Sequence, residues 1–493
     1  MTVLLDWLVN LFVFSVGLIV LAAIVLFVID RNQTSDAVRR NYPVIGRARY
    51  IFSELGEFFR QYFFAMDREE MPFNRAQRDW VYEAAKHEST NVAFGSTRNL
   101  EAVGTPIFVN CPWPTMKRDA VKAAPMRIGE GSARLPYDAP SIFNISGMSY
   151  GALSKPAVRA LSNGAAKAGC WMNTGEGGLS PYHLEGGCDI VFQIGTAKYG
   201  VRDGQGNLSD ERLREVAAHE QVRMIELKLS QGAKPGKGGI LPAEKVNAEI
   251  ASIRGIPEGE ASISPNRHPE IGNNSELLDM IGHIREVTGK PVGIKLVIGA
   301  YGWIEELFAE INRRGPDSAP DFITVDGGDG GTGAAPLALI DNVGLTLREA
   351  LPMLVDLRDA AGLRDRIRIV ASGKLVTPSE VAWAICAGAD FINSARGFMF
   401  ALGCIQAMKC NKNTCPTGIT THNPKLQRGL DPADKAVRVA NFVEQMREEV
   451  GTIAHSVGVK NPREMKRYHV RLVCADGRSR PLDELYPPVQ QVA

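Results

Sequence analysis

Cys404, Cys410 and Cys415 stand in the stretch CIQAMKCNKNTC, separated by five and four residues. Zinc sites usually draw on closer pairs and on four ligands. Here there is no CxxC and no fourth cysteine nearby, and the nearest histidine is His422. Three thiolates suit an iron–sulfur cluster with three protein corners. Pro416, directly after Cys415, is a common neighbour of such ligands. Three structural cysteines on a helix and its following loop would leave the same letters. The other five, Cys111, Cys170, Cys188, Cys386 and Cys474, are scattered. They read as reduced, buried thiols.

Glycine-rich turns are the second chemical signal. DGGDGGTG (326–333), SGK (372–374) and SARG (394–397) each follow a short apolar run. Backbone N–H groups at such turns can cradle a phosphate, and Arg396 could add a charge-assisted fork. Lys295 lies inside the apolar run GIKLV, where an unpaired ammonium would be costly. It would either meet a carboxylate or support a cofactor ring on which negative charge develops. Glu176 in NTGEGG and Lys234 in QGAKPG are further charges at run ends.

These residues need a scaffold that brings run ends together. Eight apolar runs recur: 141–147, 170–175, 190–195, 224–232, 291–297, 322–328, 367–373 and 391–397. Continuous apolar strands imply burial on both faces, as in a parallel sheet. Helical patterns such as KPAVRALSNGAAKAG, SELLDMIGHIREVTG, WIEELFAEINRRG and SEVAWAICAGA lie between them. Eight strand–helix units with glycines at the strand C-termini predict an α/β fold, a (β/α)8 TIM barrel over 136–430. An open doubly wound sheet would carry a Gly-rich fingerprint after its first strand, and none stands there. Two connections are long, 233–275 and 329–366, and loops of that length are usually functional.

Residues 7–29 are almost wholly apolar. At about 1.5 Å per residue they can cross a hydrocarbon core of about 30 Å. No basic start or cleavage site suggests a signal peptide. The arginines at 31, 39, 40, 47 and 49 place the chain beyond the span in the cytoplasm. The expected organisation is an anchor (1–30), a connecting and capping region (31–135), the barrel, and a C-terminal helical extension (431–493) packing on it. The location expected is the cell inner membrane, single-pass. Within 31–135 the aromatic stretch SELGEFFRQYFFAM reads as a packed helix or one lying on the membrane surface. The chain of 493 residues has a net charge of +1, which gives no case for nucleic-acid binding.

ISGMSYGALS, NTGEGG, LSQGAKPGKGG, IKLV, DGGDGGTGAAP and ALGCIQAMKCNKNTCPTGI follow one another in this order. Together they resemble the FMN-binding synthase domain of glutamate synthase, over roughly residues 100–425. The membrane-anchored form resembles stand-alone bacterial members of that family. The resemblance implies FMN over the strand ends and a [3Fe-4S] cluster held by Cys404, Cys410 and Cys415. Such a cuboid lacks one iron and needs no fourth thiolate. The implied FMN contacts are Ser146, Met148, Asn173, Gln193, Lys295, Asp329, Gly330, Gly331, Gly373, Ala395 and Arg396. Gln231, Lys234 and Arg254 match positions near the substrate 2-oxoglutarate. Glu176 and Lys234 are the catalytic candidates. The implied activity is that of an oxidoreductase acting on CH–NH2 donors. It would reduce 2-iminoglutarate, formed from 2-oxoglutarate and ammonia, with electrons from ferredoxin or a similar donor.

The sequence also departs from the family. The complete enzyme has a glutaminase whose mature chain begins with a catalytic cysteine, whereas this sequence begins Met1-Thr2 and enters an apolar span. Ammonia is therefore expected free or from a separate amidotransferase subunit. Residues 430–493 are too few for the large enzyme's C-terminal β-helix domain. The family's loop usually reads GEGGQLP, with its Gln on 2-oxoglutarate; here it reads GKGGILP, with Lys237 and Ile240. Ile240 cannot hydrogen-bond a carboxylate or a keto oxygen. An FMN and iron–sulfur dehydrogenase acting on another amino or imino acid, and passing electrons to the membrane, is the alternative. A non-catalytic assembly platform is a third reading, and it leaves the three cysteines and the charged rim unexplained.

Overall fold

A computed structural model of the chain describes residues 2–63 and 65–487. Two compact units are distinguished, Met1–Ala76 and Gln77–Ala493.

The first unit begins with helix α1 (Thr2–Asn32). It is long and apolar enough to cross a membrane, and none of its apolar window is buried within the protein. At its C-terminal end Asp30 is buried and accepts from Arg39 Nη2 and Arg47 Nη2, both at 2.7 Å. Two of the five arginines after the apolar segment are thus tied to its last turn. Helix α2 (Ala48–Tyr62) is strongly amphipathic, with Ile51, Phe52 and Leu55 exposed.

The second unit is built on a closed parallel barrel, the fold expected from the eight runs. Its strands are β1 (Phe143–Ile145), β2 (Met172–Asn173), β3 (Ile190–Ile194), β4 (Val222–Lys228), β5 (Val292–Leu296), β6 (Phe322–Asp326), β7 (Arg368–Ser372) and β8 (Phe391–Ser394). Each falls on one of the runs, and β4 starts two residues before its run. Five long helices alternate with them. They are α3 (Lys155–Ala168), α5 (Asn274–Thr288), α6 (Gly302–Arg314), α7 (Leu347–Ala360) and α8 (Pro378–Ala387), with the shorter α4 (Asp210–Ala218) between β3 and β4. Their ends are written locally. Ser154 accepts from Ala157 N to open α3, Asn273 accepts from Glu276 N to open α5, and Thr377 with Glu380 forms a capping box before α8.

The N-terminal mouth of the barrel is closed. Trp171, Val191, Met224, Phe322, Val370 and Phe391 pack with Ile128, Tyr137 and Ala139 of an antiparallel hairpin (Met126–Ile128 and Tyr137–Ala139). The interior has no room to spare: a Cβ on Gly293 of β5 would lie 2.5 Å from the Phe322 ring. The plug leaves the C-terminal ends of the strands as the open face, where barrel chemistry is located.

Residues 77–135 and the C-terminal segment meet in one small sheet, Pro106–Phe108 pairing with Val470–Val473 and that strand with Ser479–Pro481. The expected helical extension therefore holds one long helix, α9 (Pro432–Ser456), and then a strand pair; residues 488–493 lie outside the described ones. Helix α9 runs against α3 so closely that a Cβ on Gly164 would stand 2.5 Å from the Val439 side chain.

Candidate active site

Strand alternation aims polar side chains from several strands into the upper barrel. Glu226 on β4 is buried and has no cation within ion-pair distance among the described residues. Three neutral donors satisfy it instead: Asn173 Nδ2 (2.8 Å), Gln193 Nε2 (2.7 Å) and Thr324 Oγ1 (2.6 Å). They come from β2, β3 and β6, so this layer ties four strands together. One layer higher, Lys295 and Lys228 stand in register on β5 and β4. Lys295 Nζ lies 3.4 Å from Asp326 Oδ2. Burial pulls Lys295 down, but Asp326, Glu226 and Glu176 outweigh it and raise it above the ordinary lysine value. Lys228 Nζ donates to Glu176 Oε2 and to Gln231 Oε1, both at 2.7 Å.

Glu176 follows β2 and projects over the barrel mouth. Burial pushes its carboxyl up, but Lys228, Lys234 and Arg254 together prevail and hold it below the usual range. The group is an anion at neutral pH. Lys234 is buried, and among the described residues no carboxylate reaches ion-pair distance of its Nζ. Burial draws its pKa down, against the pull of Glu176. Arg254 donates from Nη1 to Ser262 Oγ (3.0 Å) and from Nη2 to the Tyr150 carbonyl (3.3 Å), and its guanidinium lies 5.0 Å from the Tyr199 ring centre. Its Nε is buried and has no partner among the described residues.

The long connection after β4 forms the roof. Ile240–Leu241 and Ser262–Ile263 make a two-stranded antiparallel pair, and helix Ala248–Arg254 lies between them. Gly239 leaves room for the carboxylate: a Cβ there would stand 2.0 Å from Glu176 Oε1, so a side chain at 239 would displace it. Beneath the roof is a cavity of about 160 Å³, lined among others by Glu176, Lys228, Gln231, Lys234, Ile240, Arg254, Lys245 and Cys410. Ile240 is 45% exposed and lies in its wall.

A smaller hollow of about 50 Å³ adjoins it, sharing Gly147, Gln193, Lys228, Gln231, Gly331, Ala395 and Arg396. Ser146, Lys295, Gly373 and Lys374 are among the other residues of its wall. Its polar lining would suit the phosphate end of a bound cofactor. Gly373 has φ +126°, Ser394 Oγ is buried without a partner, and Arg396 Nη2 donates to the Thr332 carbonyl. Of the eleven FMN positions, Met148 lines the larger space, while Ser146, Gln193, Lys295, Gly331, Gly373, Ala395 and Arg396 line the hollow. Asn173, Asp329 and Gly330 stand behind these walls: Asn173 is engaged by Glu226, and Asp329 lies 3.6 Å from Lys374 Nζ. All four residues expected at the substrate or in catalysis, Glu176, Gln231, Lys234 and Arg254, line the larger cavity.

The three cysteines occupy irregular chain after helix Arg396–Ala401, with Gln406, Met408 and Asn413 at positive φ. Cys404 Sγ accepts from Gln406 N (3.5 Å), and Cys415 Sγ lies 3.3 Å from Thr417 Oγ1. Among the described residues no three His, Cys, Asp or Glu side chains stand in metal-ligand geometry. The donor set, three free thiols on one loop, is nevertheless the chemistry a three-cornered iron–sulfur cluster asks for.

Sequence reasoning missed Lys228, Glu226 and Lys245. The first two were open to the argument applied to Lys295, since both are charges inside the apolar run MIELKL.

Comparison with known proteins assigns the family by sequence. The family described as the conserved region in glutamate synthase matches residues 118–460. The glutamate synthase large subunit-like protein YerD of Bacillus subtilis is 40% identical, over 96% of this chain and 98% of that protein. An archaeal glutamate synthase [NADPH] of Methanocaldococcus jannaschii is 35% identical, over 69% of this chain and 62% of its own length. Among solved structures, a flavocytochrome b2 variant with sulfite bound overlaps with a TM-score of 0.47 at 13% identity, over 90% of this chain and 93% of that one.

Proposed function

The chain belongs to the glutamate synthase family, and from that premise we propose that it reduces the imine of a 2-oxo acid and ammonia to the amino acid. In the family's own case this is 2-iminoglutarate to glutamate. The observation that carries the reading is the convergence of one ionised carboxylate and three cations, Glu176, Lys228, Lys234 and Arg254, on one roofed cavity beside a hollow suited to FMN.

FMN in that hollow would supply the hydride, and a [3Fe-4S] cluster at Cys404, Cys410 and Cys415 would feed it single electrons. The protein's own residues do the rest. Lys234, with no carboxylate partner of its own, takes a substrate carboxylate, and Arg254 Nε faces the same need. Glu176 is held ionised, so it accepts from the cationic nitrogen of ammonium or iminium rather than donating a proton. Lys228 fixes Glu176 in place, and Gln231 accepts from Lys228 and donates to Thr332 Oγ1 on the cavity wall. The roof strand pair keeps water from the reactive carbon. Ammonia would come free or from a separate amidotransferase subunit, and electrons from ferredoxin or a similar donor. Helix α1 would anchor the protein in the inner membrane with the barrel in the cytoplasm.

Ile240 favours a second reading of the substrate. An apolar side chain in the cavity wall suits a 2-oxo acid less polar at that end, or an amino acid oxidised with electrons passed to the membrane. The deciding experiment gives purified protein reduced ferredoxin or dithionite, ammonia and a panel of 2-oxo acids. Turnover of 2-oxoglutarate supports the first reading and turnover of an apolar 2-oxo acid the second. Failure on every 2-oxo acid, with flavin bound, would sink the proposal.

A further inference from the structure

Lys245 is among the most thoroughly buried cations of the barrel unit, 2% exposed. It lies in the roof connection, at the end of the short turn Ala243–Lys245. Its Nζ donates to two backbone carbonyls, Cys410 (2.8 Å) and Thr420 (2.6 Å). Among the described residues no carboxylate comes within ion-pair distance of it. Lys295 has Asp326, Lys228 has Glu176, and Lys198 has Glu270 at 2.6 Å. Among the described residues Lys234 has no carboxylate, and Lys290, like Lys245, is held by two carbonyls, those of His219 and Val222. What sets Lys245 apart is its bond to the loop of the three cysteines. A buried ammonium loses its hydration, which carbonyl dipoles offset in part and a nearby counter-charge offsets further. One of its two carbonyl partners belongs to Cys410 itself, so its Nζ sits directly on the cysteine loop.

We propose that Lys245 is a positioning residue whose counter-charge is the iron–sulfur cluster. It pins the cysteine loop to the substrate roof and lowers the cost of placing an electron on the cluster. The inference rests on the reading of the three cysteines as cluster ligands. The charges balance in that sense. Three ferric irons, four sulfides and three thiolates sum to a dianion, and taking up one electron makes a trianion. A fixed cation beside such a centre favours the reduced form and raises the potential, since net charge and neighbouring hydrogen bonds set that potential. The same lysine also reaches the cavity that holds Lys234 and Arg254. One side chain therefore links the loop that carries electrons to the roof that closes on substrate.

The test compares full-length wild type, Lys245→Met and Lys245→Arg, purified without oxygen. Iron and flavin contents, the paramagnetic signal of the oxidised cluster and its midpoint potential are read. Wild type should hold about three irons per chain. Lys245→Met should keep its flavin and lower the reduced-to-oxidised ratio about tenfold at a given potential, equal to about 59 mV for one electron. Lys245→Arg should stay near wild type. Loss of iron from Lys245→Met alone, with Lys245→Arg loaded, also supports the proposal. An unshifted potential in a loaded Lys245→Met overturns it, as does equal loss of iron from both variants, which would mark a packing role. A wild type that holds flavin but no iron would overturn the cluster reading itself, and this inference with it.

Discussion

Lys228→Met removes the charge beside Glu176 and keeps much of the side chain's length. Both partners are well buried, with side chains 7% and 16% exposed, and the contact is 2.7 Å. Removing one partner of a buried pair typically costs about 3–5 kcal/mol, because the other charge is left uncompensated. Glu176 keeps Lys234 and Arg254 as neighbours and lies on a cavity wall, so the lower end, about 3 kcal/mol, is expected at neutral pH. The pH dependence carries the reasoning. In the wild type the Glu176 carboxyl is held below its ordinary value, so it contributes stability above the unfolded carboxylate pKa and loses it as pH falls through the folded one. In the variant the burial that pushes Glu176 up is opposed only by the two farther cations. The folded carboxyl then titrates higher, and the variant loses stability relative to wild type as pH rises through the carboxylate range. Urea unfolding at about pH 4.5 and pH 7.5 should therefore show a small deficit in acid and a larger one near neutrality. Adding Glu176→Gln should restore much of the loss. An equal deficit at both pH values, or a double variant no better than Lys228→Met, would show that the pair is not the source of the stability.

Three further outcomes are expected at the same cavity. Burial lowers Lys234, so its hold on a substrate carboxylate should fade at a pH below that of an ordinary lysine; KM for the 2-oxo acid should rise on the alkaline side, and Lys234→Arg should flatten that rise. Ile240→Gln adds an amide at a half-exposed wall position; a hydrogen bond to a charged group is worth about 1.5–3 kcal/mol, so a preference for 2-oxoglutarate should appear as a roughly tenfold lower KM, and no change toward any 2-oxo acid would place residue 240 outside the site. Gly239→Ala drives a methyl into Glu176 Oε1, so kcat/KM should fall with flavin content unchanged, and a fully active variant would mean that the roof is freer to move than its geometry implies.

The barrel was legible because its eight strands are buried on both faces and so are written as continuous apolar runs ending in glycine. What could not be read was the direction of individual charges. Lys234 and Glu176 declare themselves at strand ends. Glu226 and Lys228, two residues apart in one strand, point into the barrel; Lys228 takes its role from Glu176, and Glu226 takes its role from partners on β2, β3 and β6. Those partners are distant in sequence, from 33 residues for Gln193 to 98 for Thr324. The C-terminal strand pair was hidden for a similar reason, since Val470–Val473 becomes a strand by pairing with Pro106–Phe108.

Lys245 shows the limit most sharply. In the sequence it is one lysine in a polar loop, for which solvent exposure is the default. Its burial follows from the closure of the roof over the barrel and from two carbonyls, those of Cys410 and Thr420, 165 and 175 residues away. Local pattern cannot encode such a contact, but the motif that supplies the cysteines brings the carbonyl of Cys410 with it. The cysteine loop and the roof loop are therefore best regarded as one constraint. A change that moves the Cys410 carbonyl strands a buried ammonium, and a change that neutralises Lys245 leaves the cysteine loop without its tie. On this reasoning the substitutions tolerated at 245 and along 404–420 should be interdependent. A double-mutant cycle between Lys245→Met and a loop variant such as Thr420→Gly, scored by iron retention, should depart from additivity.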